Sequence, residues 1–481
     1  MLFHRLHRLT PPTLAVAAVL ICASISPSQA QSLQDAMVSA YQVNPQLQSE
    51  RARQRASDED VSRAWGGLRP SATFSGEKGR AYDDNRYPTT NLQGQATIVK
   101  VKKYRSPDVE TIQLRQEVFD GLRTFSDVRH AKYAVEVGKA SLTSTEQSVL
   151  GDVAQSYYDL YRDQQILKIQ EDYLKSLEEE RKATLARFKV KDVTQTDVAL
   201  SDARVARGLA DLQSYQGNVQ TSRSAFTRSV GFAPADIVPA PPPLPSALPR
   251  SLEEALTAAQ HNPDLRATFY ASKAADTDVD IATAGLLPDL SLVASSTRTF
   301  HTDTNLSTNS GNQVLLTLTV PLYDGGVASA RTRGAKHTAG QRRIDIDVQR
   351  DRVVDAVKRS WENLQATRAR MRSLEENERA AEVALKGIQE EVRVGSRTIL
   401  DELNTRQELL DTRIAQLRAH HDEAINAFSL MIACGRLTAG DLDLPVERYD
   451  PDAHLEESSW LPWGPWIDTD YPEPMTPPAA K

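Results

Sequence analysis

Two short tetrads carry the clearest polar chemistry in this sequence: Thr194-Gln195-Thr196-Asp197 and Thr398-Ile399-Leu400-Asp401, 204 residues apart. A hydroxyl followed three residues later by an acid fits a helix capping box, in which each side chain satisfies a backbone N–H near the helix start. Acids in a first turn are also favoured by the helix dipole. Residues suited to covalent chemistry form no pattern. The nine histidines contain no His-Glu-x-x-His, and His420 and His421 point to different faces of a helix. There is no Gly-x-Ser-x-Gly elbow and no phosphate-cradling glycine loop. The acid pair Asp83-Asp84 reads as solvated surface in a polar loop. These residues suggest neither an enzyme nor a cofactor or metal. A net charge of -7 over 481 residues argues against a nucleic-acid partner, and no basic stripe interleaved with aromatics stands out.

Positioning starts at the front of the chain. Arg5 and Arg8 precede an apolar run from Leu14 to Cys22, followed by Ser28-Gln29-Ala30. This predicts a secretory signal peptide over 1–30, cleaved between Ala30 and Gln31. The run is shorter than the roughly 20 apolar residues of a membrane helix, and Ile21 is bulky for a lipid-attachment site at Cys22. Beyond residue 30 nothing approaches a transmembrane helix, and the mean hydropathy is -0.46. Only Cys434 would remain in the mature chain, so no intrachain disulfide is expected.

The remainder is two copies of one unit. Ser32-Leu33-Gln34-Asp35-Ala36 with Asn44-Pro45 opens the first, and Ser251-Leu252-Glu253-Glu254-Ala255 with Asn262-Pro263 opens the second. Gly67-Leu68-Arg69-Pro70 matches Gly285-Leu286-Leu287-Pro288 at an offset of 218, and Phe119-Asp120-Gly121 matches Tyr323-Asp324-Gly325 at 204, so the first copy holds 14 extra residues between these landmarks. The expected organisation is a first repeat over 31–233, a proline-rich linker over 234–249, a second repeat over 250–445 and a Pro/Trp-rich tail over 446–481.

Each copy changes period twice. Residues 33–66 read as helix, Ser71 onward as strand interrupted by a polar loop, and 111–119 and 313–320 as returning strands. Long heptads follow: Val153, Leu160, Leu167 and Leu174 in the first copy; Val357, Leu364, Met371, Glu378, Leu385 and Val392 in the second; Val198, Val205, Leu212, Val219 and Phe226 on the first return helix. Such seams supercoil against neighbours. A helix over 121–187 would be about 100 Å long, which implies an extended assembly. Four strands of about ten residues cannot close a barrel alone, because the smallest barrels have about eight. In lipid an open edge leaves backbone groups unpaired at several kcal/mol each, so membrane strands would have to be pooled by at least two chains. A small soluble hairpin domain capping a coiled coil is the alternative on these residues.

With these motifs the chain resembles the TolC-like outer membrane efflux proteins over nearly all of residues 32–445. The resemblance rests on the duplicated Ser-Leu-x-x-Ala…Asn-Pro opening, the Leu-x-Pro before each hairpin, the Phe/Tyr-Asp-Gly preceding each long helix, and Val394-Gly395-Ser396-Arg397-Thr398-Ile399-Leu400-Asp401. It implies a mostly α fold with a membrane β-barrel: a homotrimer whose long coiled-coil helices form a 12-helix α-barrel across the periplasm, and whose four strands per chain form a 12-stranded barrel in outer membrane lipid. The implied partners are a periplasmic adaptor protein and an inner-membrane transporter, either ABC-type or proton-driven. The cargo would be drugs, toxins or secreted proteins. By the same resemblance, Asp197 and Arg397 hold a closed periplasmic gate through charge pairing, and Asp401 forms a lumen selectivity ring with Asn404 at a neighbouring ring position. The tip turns Lys189, Val190 and Lys191 and Val394, Gly395 and Ser396 would dock the adaptor.

Three departures from the family pattern are expected to matter. Asn404 stands where a second ring aspartate is common, and Val392 replaces a gate aromatic. Lys191 replaces a turn glycine and would require a different backbone turn. Weaker cation selectivity and a looser gate follow. The rival reading is a periplasmic coiled-coil adaptor or adhesion scaffold, which would share the heptads but not the twofold helix–hairpin–helix repeat.

Overall fold

The computed structural model describes residues 32–90, 93–236, 238–302 and 306–458. The expected leader with its Ala30/Gln31 cleavage site and the tryptophan-rich stretch from Trp460 to Trp466 lie outside the described residues. The duplication is explicit in the helices. α3 (Arg123–Lys189) and α7 (Val327–Arg393) are both 67 residues long and related by the 204-residue offset. α4 (Gln195–Val230) and α8 (Ile399–Ala433) return antiparallel to them and start at the same offset.

The opening segment of each copy is two helices rather than the single one read over 33–66. α1 (Leu33–Val43) ends at Asn44, where α2 (Pro45–Trp65) begins. In the second copy α5 (Leu252–Ala258) and a short 3-10 turn lead to Asn262, where α6 (Pro263–Ala284) begins. Proline is tolerated at a first helical position, where its missing N–H has no partner to lose. The asparagine does double duty. Asn44 Oδ1 accepts from the Gln46 amide at 2.9 Å, while its Nδ2 donates to the Ser229 carbonyl at the end of α4 at 3.1 Å. Asn262 likewise accepts from the Asp264 amide at 2.9 Å and donates to the Ala433 carbonyl at the end of α8 at 3.0 Å. Each Asn-Pro therefore joins two helix ends by capping both, so that α4 runs on into α2 and α8 into α6 beside the long helices. One chain supplies four helical rows.

Among the described residues the strands number six, two more than expected. β1 (Ser71–Lys78), β4 (Asp108–Phe119), β5 (Asp289–Phe300) and β6 (Thr308–Thr319) form one antiparallel sheet in the order β1-β4-β5-β6. The polar loop of the first copy is itself a hairpin, β2 (Ala81–Thr90) paired with β3 (Ala96–Arg105) as a separate two-stranded ribbon. This ribbon accounts for the insertion that the landmark offsets revealed.

The main core lies at the waist. Met37, Tyr157, Leu160, Phe226, Phe428 and Leu437 belong to one buried cluster that ties α1, α3, α4, α8 and the segment after α8 together. The linker packs along this waist: the Val238 amide donates to Gln164 Oε1 at 3.0 Å, and the Tyr157 hydroxyl to the Pro239 carbonyl at 3.0 Å. The start of the expected tail is packed too. α9 (Ala453–Ser458) follows Asp452, which pairs with Lys139, and His454 Nδ1 lies 3.2 Å from the fully buried Asp58.

Candidate functional site

The four-stranded sheet has two chemically distinct faces. Alternate residues of a strand share a face, and the register aligns Phe74 with Ile112, Ala72 with Leu114, Leu114 with Ala294, Leu292 with Leu316 and Leu290 with Leu318. Toward the helices that face is apolar apart from Gln116, while farther out the same face carries Ser296, Asn312, Glu110 and Arg298. The other carries Thr73, Ser75, Thr111, Gln113, Ser295, Gln313 and Thr317, with Thr111 Oγ1 and Thr297 Oγ1 3.3 Å apart. Within one chain the apolar face is bare: Phe74 is 70% exposed, Val314 69%, Leu316 65% and Leu318 62%. A patch of this kind marks a surface made for lipid or protein. Both edges, β1 and β6, lack a strand partner among the described residues.

At the far end of the helices stand the two tips. Both Thr-x-x-Asp tetrads are capping boxes. Asp197 Oδ2 accepts from the Thr194 amide at 2.8 Å and its hydroxyl at 2.7 Å, and Asp401 Oδ2 from the Thr398 amide at 3.1 Å and its hydroxyl at 2.8 Å. Hydrogen bonds from the threonine hydroxyl and then from its amide hold both carboxyls below the usual aspartate range. Arg397 Nε reaches Glu391 Oε2 of its own turn at 3.1 Å, so within one chain Asp197 and Arg397 are each engaged locally. Asn404 Oδ1 accepts from Arg204 Nη2 at 2.7 Å, linking α8 to α4. Val392 is buried in the cluster of Leu177, Val205 and Leu403.

The tip backbone corrects one expectation. Lys191 does not impose a different turn. Its φ is 64° against 80° at Gly395. Lys191 N bonds Phe188 O at 3.0 Å and Asp192 N bonds Arg187 O at 3.0 Å, just as Gly395 N bonds Val392 O at 3.1 Å and Ser396 N bonds Glu391 O at 2.9 Å. The two tips share one left-handed helix stop. Lys189 and Val190 close the first, Val394 and Ser396 flank the second, and Val190 and Val394 are about three-quarters exposed.

The chain matches the outer membrane efflux protein family over residues 36–231 and 256–436. The chain belongs to that family. It is 34% identical over 451 residues to the outer membrane efflux protein BepC of Brucella suis, covering 92% of this chain and 94% of that one. It is 25% identical over 424 residues to the alkaline protease secretion protein AprF of Pseudomonas aeruginosa, covering 85% of each. The fold resembles the CmeC outer membrane channel of Campylobacter jejuni with a TM-score of 0.71 at 15% identity, covering 89% of each chain. As a member of this family the protein is an outer membrane channel that extends into the periplasm and exports substrates. The adaptor or adhesion reading gives way to it.

Sequence reasoning missed a polar cluster midway along the long helices. Buried His421 lies between two carboxylates, Nε2 2.9 Å from Asp159 Oδ1 and Nδ1 3.1 Å from Asp422 Oδ1. Arg162 pairs with Asp159 and Asp163, and Asp163 accepts from Ser222. The only trace in sequence was the His420-His421 doublet. Arg204, the partner of Asn404, had no motif at all.

Proposed function

We propose that three copies close the channel. The edge strands β1 and β6, eight and twelve residues long, leave about half their backbone groups unpaired, a cost on the order of tens of kcal/mol in lipid. Pairing β6 of one chain with β1 of the next removes it. Two copies would give eight strands, a barrel filled by its own side chains, whereas twelve leave a lumen. β4, β5 and β6, twelve residues each, span about 30 Å of hydrocarbon at the usual tilt. Closure would turn the Phe74–Leu318 face to lipid and the Thr111–Thr317 face to the pore, while the four helical rows per chain become a twelve-row tunnel. Exposed Phe119 and Tyr323 at the helical end, and Tyr82 and Tyr104 at the other, fit aromatic girdles at the two interfaces.

The observation that carries this reading is a sheet with an exposed apolar band on one face and two open edges. The tips then meet a periplasmic adaptor, with an inner-membrane transporter, ABC-type or proton-driven, supplying energy. The exposed turns at Lys189–Lys191 and Val394–Ser396 are the docking surface. Asp197 and Arg397 pair between neighbouring chains in the closed state, and three copies of Asp401 ring the lumen and favour cations. Relatives named for efflux and for protease secretion support export of small molecules or of proteins. Single-channel recording of the purified protein in planar bilayers tests the proposal. Discrete cation-preferring steps from a heat-dissociable trimer are expected; a monomer that never conducts would refute it.

A further inference from the structure

The ribbon β2–β3 is not needed to close a barrel, and its charge sets it apart. Residues 80–105 hold six cations (Arg80, Arg86, Lys100, Lys102, Lys103 and Arg105) against two acids, in a chain whose net charge is -7. The ribbon is a basic stripe flanked by aromatics, contrary to the expectation from composition. The register places Tyr82 opposite Tyr104, Asp84 opposite Lys102, Arg86 opposite Lys100 and Pro88 opposite Ile98, all on one face. The Tyr82 and Tyr104 rings lie with centroids 4.7 Å apart, tilted by 37°, and Tyr104 and Ile98 are 78% and 70% exposed. Arg86 and Lys100 are like charges directly opposite, a destabilising arrangement that an intervening anion relieves. Neither they nor Lys102 has an ion-pair partner among the described residues. On the other face Arg105 is engaged with Asp83 at 2.8 Å and the Thr302 carbonyl at 2.6 Å, which anchors the ribbon's base. The ribbon springs from the sheet between Lys78 and Asp108, the end remote from α3 and α7, and so on the outer side of the membrane.

We propose that this face docks on the phosphate-bearing lipid headgroups of the outer leaflet around the barrel. Arg86, Lys100 and Lys102 engage phosphate oxygens, while Tyr82, Tyr104 and Ile98 settle at the headgroup level, where amphipathic rings and apolar side chains are favoured. The apolar neighbours select a lipid over a free anion. The inference rests on the outer membrane placement of the sheet.

The test uses full-length protein purified in detergent, incubated with mixed micelles containing diphosphorylated lipid A and separated by size exclusion, with retained lipid quantified by mass spectrometry. Wild type should retain the lipid with an affinity on the order of a hundredfold above that of R86Q/K100Q/K102Q, and should release it as salt rises from about 0.1 to 1 M. Both proteins should keep heat-resistant assembly and conductance, so that failure of the ribbon is distinguishable from failure of the channel. Equal retention by the variant would overturn the proposal. So would release of lipid A from wild type by an equal concentration of inorganic phosphate, or equal retention of uncharged detergent-solubilised diacylglycerol.

Discussion

From Phe119 onward, residues 204 apart occupy equal positions in the two repeats, so each copy is a control for the other. Gly326 and Gly395 adopt left-handed conformations at no steric cost, while Leu122 and Lys191 adopt the same ones with φ of 66° and 64°. A side chain in that region costs roughly 1 kcal/mol. Lys191→Gly should therefore stabilise the first tip by about that amount, read as slower hydrogen exchange over residues 187–194; faster exchange would show that Lys191 makes a compensating contact. The Asn404 position needs a paired experiment, because Arg204 already donates to it. Asn404→Asp alone should form an ion pair and leave selectivity nearly unchanged, whereas Asn404→Asp with Arg204→Gln should raise cation preference in bilayer recordings.

The Asp401 cap gives a pH prediction. Its carboxyl titrates below its ordinary value of 3.8 in the folded tip, so its contribution is complete above that value and is lost as pH falls through the depressed one. Wild type should protect the amides of residues 399–402 better than Asp401→Asn at neutral pH, and the difference should vanish in strong acid. The Thr-x-x-Asp caps were legible because capping is local. Arg204–Asn404 and the His421 cluster were not, because both join residues about 200 or more apart in sequence with no shared periodicity.

Elements were legible wherever one face is buried. The heptads marked α3 and α7, and their buried positions include Val153, Leu160, Val357 and Leu364. The ribbon was read as loop because both of its faces are wet, so its alternation of Val, Ile and Tyr with Lys marks no core, and Pro88 demotes a strand. The Asn-Pro landmarks were visible as repeats, but not as splices, since each joins helix ends some 170 to 185 residues apart. The two faces of β6 make opposite predictions. Leu316→Arg puts a guanidinium on the lipid face at about 2–4 kcal/mol per chain and should abolish heat-resistant assembly. Thr317→Arg faces the pore and should assemble normally while lowering cation conductance. Equal tolerance of both would mean that the apolar face does not meet lipid.

For the whole molecule, the duplicated architecture and the need to pool strands were readable from spacing and strand count, but the order β1-β4-β5-β6 was not. That order puts the first and last strands of the sheet at its edges, about 14 Å apart at the usual strand spacing. A disulfide cannot span that distance within a chain, since its Cα atoms lie within about 7 Å. Cysteine cross-linking between the edges is therefore the most direct test of shared closure. In a Cys434→Ala background, Thr73→Cys would be combined in turn with Gln313→Cys, Leu315→Cys or Thr317→Cys and oxidised in outer membranes. Three copies around one pore should give covalent dimers and trimers and nothing larger from at least one pair. Monomers alone from every pair, or an open ladder beyond three, would contradict it.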